Sequence, residues 1–190
     1  RQSNRLKKLI EDLIEASKAS TGNLAVHLEK LEAGVSVVQI VGEFEDKLNA
    51  ADLTLLIQKP ETPVYVMADG RHFWRVIDNL MNNICKYAQP GTRVYVDLRE
   101  NGGQVELIFR NTSRYPLNIS SEELMERFVR GDESRNTEGS GLGISIAKSL
   151  MELMGGSFML YVDGDLFKVV LGFAQMEEEK EPLDEDKSGK

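Results

Sequence analysis

The spacing of apolar residues along the chain predicts an alternation of helices and strands. Apolar residues recur every three or four positions, as on one side of a helix, at residues 1–20, 35–48, 71–88 and 143–154, with a shorter pattern at 121–129. Alternating or continuous apolar runs predict strands at residues 26–31, 53–58 and 64–67. Two further pairs of runs flank glycine-containing turns and predict hairpins, 93–99 with 105–110 and 157–162 with 166–173.

The hairpins decide the predicted fold class. Because hairpins imply antiparallel pairing and helices lie between them in the chain, we expect an α+β fold. The expected architecture is a two-layer sandwich, in which helices cover one face of a mixed, mostly antiparallel sheet, preceded by an N-terminal helix. A doubly wound parallel sheet is the weaker alternative.

The first helix has a narrow apolar stripe and not a broad apolar side. The stripe consists of Leu6, Leu9, Ile10, Leu13 and Ile14. Such a stripe is typical of a coiled-coil or helical-bundle seam, but a helix that lies on its own domain remains equally open. Residues 20–23, Ser-Thr-Gly-Asn, predict the end of the helix and a linker. These patterns divide the chain into a helix at 1–20, a main domain at 21–175 and a tail at 176–190.

Composition and charge narrow the function classes. Hydrophobic residues make up 41% and charged residues 28%, as in a globular domain, and no apolar run is long enough to span a membrane. The net charge of −8 argues against a nucleic-acid-binding surface. Half of that charge comes from residues 176–190, which read as a solvated, disordered tail. The single cysteine, Cys85, excludes a disulfide within the chain and fits a cytoplasmic protein. Because the chain starts at Arg1 without Met, we expect it to be part of a longer protein.

The helix predicted at 71–88 carries the first chemical signal. At 100° per residue, Asn79, Asn83 and Lys86 fall on the side opposite to its apolar residues. Asparagine is a poor helix former, so two of them one turn apart have no local structural reason. An outward carbonyl oxygen can ligate Mg²⁺, and a lysine one turn on can contact phosphate. A solvated polar side with no ligand is the alternative that this spacing leaves open.

A glycine-rich segment directly before a helix is the second signal. Residues 139–143 read Gly-Ser-Gly-Leu-Gly. Glycines permit close approach of the backbone to phosphate, and free N–H groups at the start of a helix attract anions. The motif is weak alone, because it lacks the Gly-Lys-Ser/Thr ending of a P-loop and does not open a βαβ unit.

The residues around both signals resemble those of bacterial sensor histidine kinases. The run Asn79-Leu-Met-Asn-Asn83-Ile-Cys-Lys86-Tyr87 is similar to the N-box of that family, commonly Asn-Leu-x-x-Asn-Ala-x-Lys-Tyr. The run from Met125 to Arg135, followed by 139–148, resembles the ATP lid, phenylalanine box and second glycine box of the same family. The resemblance covers about residues 5–174. It implies that residues 1–20 are the C-terminal part of the dimerisation and phosphoacceptor helix and that residues 21–175 form the ATP-binding catalytic domain, with the Bergerat-type fold.

This resemblance assigns expected roles to individual residues. It implies that Asn83 ligates Mg²⁺, that Asn79 supports it, that Lys86 contacts phosphate and that Tyr87 borders the nucleotide. It also implies that Arg130 reaches the γ-phosphate and that Phe128 packs the lid on the domain. The residues expected to wrap the phosphate chain are Ser140, Gly141, Leu142 and Gly143.

One family motif is altered in this chain. The first glycine box, usually Asp-x-Gly-x-Gly, should follow the strand 105–110, where the chain has Asn111-Thr-Ser-Arg-Tyr. In the family the aspartate accepts a hydrogen bond from the adenine amino group. The carbonyl of Asn111 can accept that bond, and its amide can donate to a ring nitrogen. We therefore expect ATP to bind, with an affinity below that usual for the family.

The resemblance implies a kinase that transfers the γ-phosphoryl group of ATP to a histidine. His27 and His72 are not in the family's His-Glu or His-Asp acceptor pattern, so we expect the acceptor on a helix upstream of Arg1, paired antiparallel with residues 4–18. The implied partners are that helix and a response regulator, in a homodimeric, membrane-anchored full-length protein whose present segment touches no membrane.

Three alternatives to the kinase reading stay open on sequence. One is a non-catalytic nucleotide-dependent interaction module of the same fold, which the altered first glycine box would suit. Another is a chaperone-type or topoisomerase-type ATPase, which would need a glutamate where this chain has Asp78 and Asn79. A structural coiled-coil module is the third, and it leaves the lid motif unexplained.

Overall fold

A computed structural model describes residues 2–130 and 141–176. Its helices are α1 Gln2–Ser20, α2 Ala33–Gly42, α3 Glu45–Ala50, α4 Gly70–Tyr87, α5 Ser121–Arg130 and α6 Gly143–Leu153. Its strands are β1 Glu29–Glu32, β2 Leu53–Gln58, β3 Tyr65–Ala68, β4 Thr92–Asn101, β5 Gln104–Thr112, β6 Ser157–Asp163 and β7 Leu166–Ala174.

Five strands form the main sheet, in the order β2-β4-β5-β7-β6. The pair β2–β4 is parallel and the other three pairs are antiparallel, and two of these three, β4–β5 and β6–β7, are the predicted hairpins. Alternate residues of the central strands are buried toward the helices, among them Val96 on β4, Leu107 on β5 and Val169 on β7. The predicted α+β sandwich with a mixed sheet is thus confirmed.

Helices α4 and α6 fill the space over this sheet. Their fully buried side chains include Phe73, Ile77, Leu80 and Met81 on α4 and Ile146, Leu150 and Met151 on α6. Each fully buried side chain of this size contributes about 1.5–3 kcal/mol to folding. The two helices that carry the nucleotide-type motifs are therefore held rigidly by the same core.

Two element predictions were wrong in detail. The single helix predicted over 35–48 is broken into α2 and α3 after Gly42, a residue that costs a helix stability. Phe44 in the break is buried, so both apolar groups reach the core without a continuous helix. The strand predicted at 26–31 is displaced to β1, because β1 pairs with β3 in a separate two-stranded sheet in which Leu31 lies opposite Val66.

α1 lies on its own domain, but not through its apolar stripe. Asp12 and Ala19 are buried, whereas Leu6, Ile10, Leu13 and Ile14 are exposed. Polar and apolar contacts accompany this orientation, since Arg75 of α4 forms salt bridges with Asp12 and Glu15, and Ala19 packs in the core. Across the described residues, no helix is both long enough and apolar enough to span a membrane.

Candidate functional site

The two predicted motifs touch each other through Asn79 and Gly143. A Cβ atom built on Gly143 would lie 3.2 Å from the side-chain oxygen of Asn79. Asn79 is itself buried, because α6 packs on the side of α4 that the sequence analysis expected to face away from the core. The glycine turn and the asparagine helix are therefore in contact, and a side chain at position 143 would crowd Asn79.

A cavity of about 930 Å³ opens beside this contact. Six of the predicted site residues line it: Asn79, Asn83, Lys86, Tyr87, Gly141 and Gly143. Side chains that were not predicted complete the wall, including Lys8 of α1, Lys47 of α3 and Arg114 after β5. Neither Lys8 nor Lys47 belongs to a recognisable motif, so the sequence alone could not predict that they line the cavity.

The start of α6 leaves backbone donors available at the cavity. Leu142 occupies the N-cap position, and no side chain caps the helix. Its carbonyl accepts hydrogen bonds from the hydroxyl of Ser145 and the N–H of Ile146, at 2.8 and 2.9 Å. Gly141 has a φ of +73°, a conformation that favours glycine. Among the described residues no side chain caps α6, and uncapped N–H groups at the start of a helix can bind an anion.

On the polar side of α4, some side chains form hydrogen bonds within the protein and others are candidates for binding a ligand. Asn82 donates to the backbone and side-chain oxygens of Asp78 at 2.8 and 2.9 Å and accepts from Lys47 at 2.9 Å. Lys86 lies over the ring of Tyr87, 4.8 Å from its centroid. Since Asn82 is committed to protein partners, Asn83 is the better candidate on this side for binding a ligand.

Two buried side-chain atoms in this part of the fold have no protein partner among the described residues. They are Nδ2 of Asn79 and Oδ1 of Asn111. Buried polar groups are rarely left unpaired, and such atoms mark places where a bound molecule can supply the missing bond. Asn111 is buried on β5 between Val94 and Phe167, on the helix-facing side.

Not all predicted site residues line the cavity in the described structure. Asn111 and Leu142 are not among its lining residues. Ser140 and the side chain of Arg130 lie outside the described residues, although Arg130 ends α5. Phe128 lines the cavity and packs edge-on against Phe167, with ring centroids 6.5 Å apart.

Cys85 and the two histidines have structural surroundings of different kinds. Burial raises the pKa of Cys85, although the charge of Lys47 opposes this, so the thiol is protonated near neutral pH. His72 lies 2.8 Å from the carbonyl of Ala25. The backbone N–H of His27 donates to Asp69 at 2.8 Å. Within the described residues no group of three or more His, Cys, Asp or Glu side chains could hold a metal ion.

Comparison with known proteins places this cavity in a family. Residues 68–182, more than half of the chain, match the family described as histidine kinase-, DNA gyrase B- and HSP90-like ATPases. The chain belongs to that family. The matched residues include α4, α6 and the strands between them, and so both halves of the cavity.

Relatives within the family are sensor histidine kinases. The chain is 26% identical over 178 residues to the probable sensor kinase SilS of Salmonella typhimurium, covering 92% of this chain and 36% of SilS. It is 28% identical over 171 residues to the probable sensor protein PcoS of Escherichia coli, covering 88% of this chain and 36% of PcoS. The chain thus spans about a third of the length of these relatives and corresponds to their ATP-binding catalytic domain.

Solved structures show the same fold. The histidine kinase AdeS of Acinetobacter baumannii aligns with a TM-score of 0.72 at 20% identity, over 93% of this chain and 81% of AdeS. Full-length ShkA, solved in complex with AMPPNP, aligns with a TM-score of 0.74 at 17% identity, over 94% of this chain and 38% of ShkA. The ATPase family fold is therefore present here together with α1.

Proposed function

We propose that this chain binds Mg²⁺-ATP in the cavity between α4 and α6 and transfers the γ-phosphoryl group to a histidine of another helix in the whole protein. One observation carries the proposal: the asparagine side of α4 and the glycine turn before α6 line the same cavity. Its volume, about 930 Å³, is within the range of sites for molecules of nucleotide size.

The residues at the cavity suit the phosphate groups. Lys86 supplies a positive charge, and the uncapped start of α6 supplies backbone donors at Gly143 and beyond. Gly141 and Gly143 allow phosphate to approach the backbone closely. Arg130, Ser140 and Leu142 complete this set in our proposal, by the resemblance of the lid to that of sensor kinases. Phosphoryl transfer depends mostly on such positioning and charge neutralisation.

Asn83 is the proposed ligand of Mg²⁺, and Asn79 supports it. Mg²⁺ takes hard oxygen ligands and is commonly held by one or two protein groups together with substrate phosphates and water, which suits a cavity without a carboxylate cluster. When bound, the ion neutralises phosphate charge. Asn79 is buried one turn before Asn83 and lies close to Gly143, which suits a supporting role.

Asn111 and Tyr87 are proposed to form the base end of the site. The carbonyl oxygen of Asn111 is buried without a protein partner, so a donor from the ligand would satisfy it. The exocyclic amino group of adenine is such a donor. Tyr87 lines the cavity at the end of α4 and offers a flat surface beside it.

Calorimetric titration with Mg²⁺-AMPPNP tests the proposal. The chain is expected to bind, and Asn83→Ala is expected to remove the dependence of affinity on Mg²⁺ while the exposed Asn49→Ala leaves it intact. No heat with the unaltered chain at millimolar nucleotide would overturn the assignment of the cavity. An Asn83→Ala variant that keeps full Mg²⁺ dependence would overturn the role of Asn83 alone.

The activity of the whole protein extends this proposal. The phosphoacceptor histidine is expected on a helix upstream of Arg1 that packs with α1, whose exposed Leu6, Ile10 and Leu13 suit such a bundle. A homodimer, a response regulator as the next phosphoryl acceptor and anchoring in the cell membrane complete the proposed arrangement. The division into 1–20, 21–175 and 176–190 stays a prediction.

A further inference from the structure

α1 supplies one wall of the cavity proposed to bind nucleotide. Lys8, Leu9 and Asp12 line it together with Asn83 and Lys86 across the opening. α1 lies outside the residues that match the ATPase family, 68–182. The wall is therefore contributed by a segment to which the family match assigns no role at the site.

Arg75 fixes α1 against α4 by binding three carboxylates. Its guanidinium donates to Glu15 through Nε and Nη2, at 3.0 and 2.8 Å, and to Asp12 through Nη2 at 2.8 Å. A further bond from Nη1 reaches Asp78 of the same helix at 3.2 Å. Burial alone would lower the pKa of Arg75, but the hydrogen bonds and charges of Glu15 and Asp12 raise it. A planar guanidinium can satisfy several carboxylates at once, which a lysine cannot do.

Lys8 lines the cavity on the same side of α1 as Asp12, which pairs with Arg75. Lys8 precedes Asp12 by one helical turn, so the two side chains share a side of α1. Lys7 does not line this cavity and instead pairs with Glu11 at 3.8 Å, where both side chains are exposed. Among the described α1 side chains that line the cavity, Lys8 carries the positive charge, so it is placed to meet an anion.

We propose that Lys8 contacts the phosphate groups of the bound nucleotide and that Arg75 is the positioning residue that holds α1, and thereby Lys8, in place. The proposal rests on the proposed function of the cavity. It makes the docking of α1 and the binding of Mg²⁺-nucleotide mutually reinforcing, because each stabilises the arrangement that the other requires.

Matched lysine variants test the contact. Lys8→Gln is expected to weaken binding of Mg²⁺-AMPPNP roughly threefold to tenfold, the range for a partly exposed charge-assisted hydrogen bond. Lys7→Gln removes the same charge one residue away and is expected to leave affinity within about twofold. Equal affinities for the two variants would overturn the role of Lys8 while leaving the proposed nucleotide site intact. Absence of binding by the unaltered chain would instead refute the proposed function itself.

A double-variant cycle tests the positioning role of Arg75. Arg75→Gln and the milder Glu15→Gln are expected to weaken nucleotide binding, and neither should weaken it further once Lys8 has been replaced by Gln. Additive losses would show that Arg75 does not act through Lys8. Tighter binding by Arg75→Gln or Glu15→Gln would show that α1 obstructs the site, which also overturns the proposal.

Trp74 provides a readout of α1 docking that does not depend on nucleotide. It is the single tryptophan, and it borders the groove between α1 and α4 beside Lys7 and Glu11. Glu15→Gln and Arg75→Gln are expected to shift its emission to longer wavelength as α1 leaves α4, and Arg75→Lys to give a partial shift. If the emission of Arg75→Gln were unchanged while circular dichroism showed the chain still folded, Arg75 would not be the residue that holds α1 on α4.

Discussion

Gly143 lies close against Asn79: a Cβ on Gly143 would stand 3.2 Å from Oδ1 of Asn79 and 3.6 Å from its Cγ, so a larger residue there requires Asn79 to move. These two residues come from different motifs, 64 positions apart, and their contact sets the distance between the asparagine helix and the glycine turn. The width of the candidate nucleotide site therefore depends on the absence of a methyl group at one position.

Gly143→Ala is expected to weaken both folding and nucleotide binding. The added methyl must displace Asn79 by a few tenths of an ångström, and overpacking of this kind costs about 1–3 kcal/mol. Gly42→Ala is the matched control, since a Cβ on Gly42 meets nothing within 4 Å. Urea unfolding and titration with Mg²⁺-AMPPNP measure both effects. If Gly143→Ala and Gly42→Ala gave the same stability and the same nucleotide affinity, the contact between Gly143 and Asn79 would matter for neither folding nor binding.

The carboxylate of Asp69 is expected to make the free energy of unfolding of the domain depend on pH in the acid range. Burial favours its neutral form, but backbone N–H groups of His27, His72 and Arg71 donate to it, together with the charge of His72, and the net effect lowers its pKa below 3.8. A lowered pKa stabilises the fold above the ordinary value, and this contribution is lost as pH falls through the folded-state pKa.

Asp69→Asn removes the charge but keeps an oxygen that can cap α4, so it is expected to cost about 1 kcal/mol at pH 7, the scale of the interaction of a carboxylate with a helix N-terminus. The difference from the unaltered chain should shrink as pH falls below 3.8. Asp46→Asn, an exposed acid in the first turn of α3, is the control. Urea unfolding across pH measures the difference, and a loss that stays constant down to low pH would contradict the carboxylate origin.

The sequence predicted the elements better than their contacts. The bounds of β2 agree with the predicted strand at 53–58, because its apolar run ends at Lys59-Pro60. The hairpin β4–β5 was predictable from its turn at Asn101-Gly102-Gly103. By contrast, the separate pairing of β1 with β3 joins two four-residue strands far apart in the chain, and short local patterns do not encode such partners.

The candidate site, like the fold, could be predicted from the sequence only in part. Asn79, Asn83 and Lys86 could be found because helical spacing puts them on one side of α4. The sequence did not predict that Asn79 is buried, because α6 covers it and the pattern of α4 alone does not show this. The position of Lys8 at the cavity was not predicted either. The pattern of α1 shows its apolar stripe, whereas the salt bridge between Arg75 and Asp12 helps to decide which side of α1 packs on the domain.

Cys85 is expected to report occupancy of the cavity. It is the single cysteine, it is half-buried and lines the cavity, and its raised pKa keeps the less reactive thiol form at neutral pH. Alkylation by a maleimide at pH 7.5 should be slower than for a free thiol, and Mg²⁺-AMPPNP should slow it further. Mass spectrometry follows the reaction, with Cys85→Ser as the blank. A rate unaffected by saturating nucleotide would place the ligand elsewhere.

The chain is expected to bind ATP without phosphorylating itself, since neither histidine can reach the proposed phosphate site. His27 and His72 both lie at Asp69, before the first turn of α4 or within it, and Asn83 is about 16 Å beyond His72 along that helix at 1.5 Å per residue. His72 is also held against Ala25. Incubation with γ-labelled ATP should leave the chain unlabelled, whereas a longer form carrying an upstream acceptor helix should take up acid-labile label. Label on this chain that disappears in His27→Gln or His72→Gln would contradict the distance argument, because it would require one of these residues to meet the γ-phosphate of the same or another molecule.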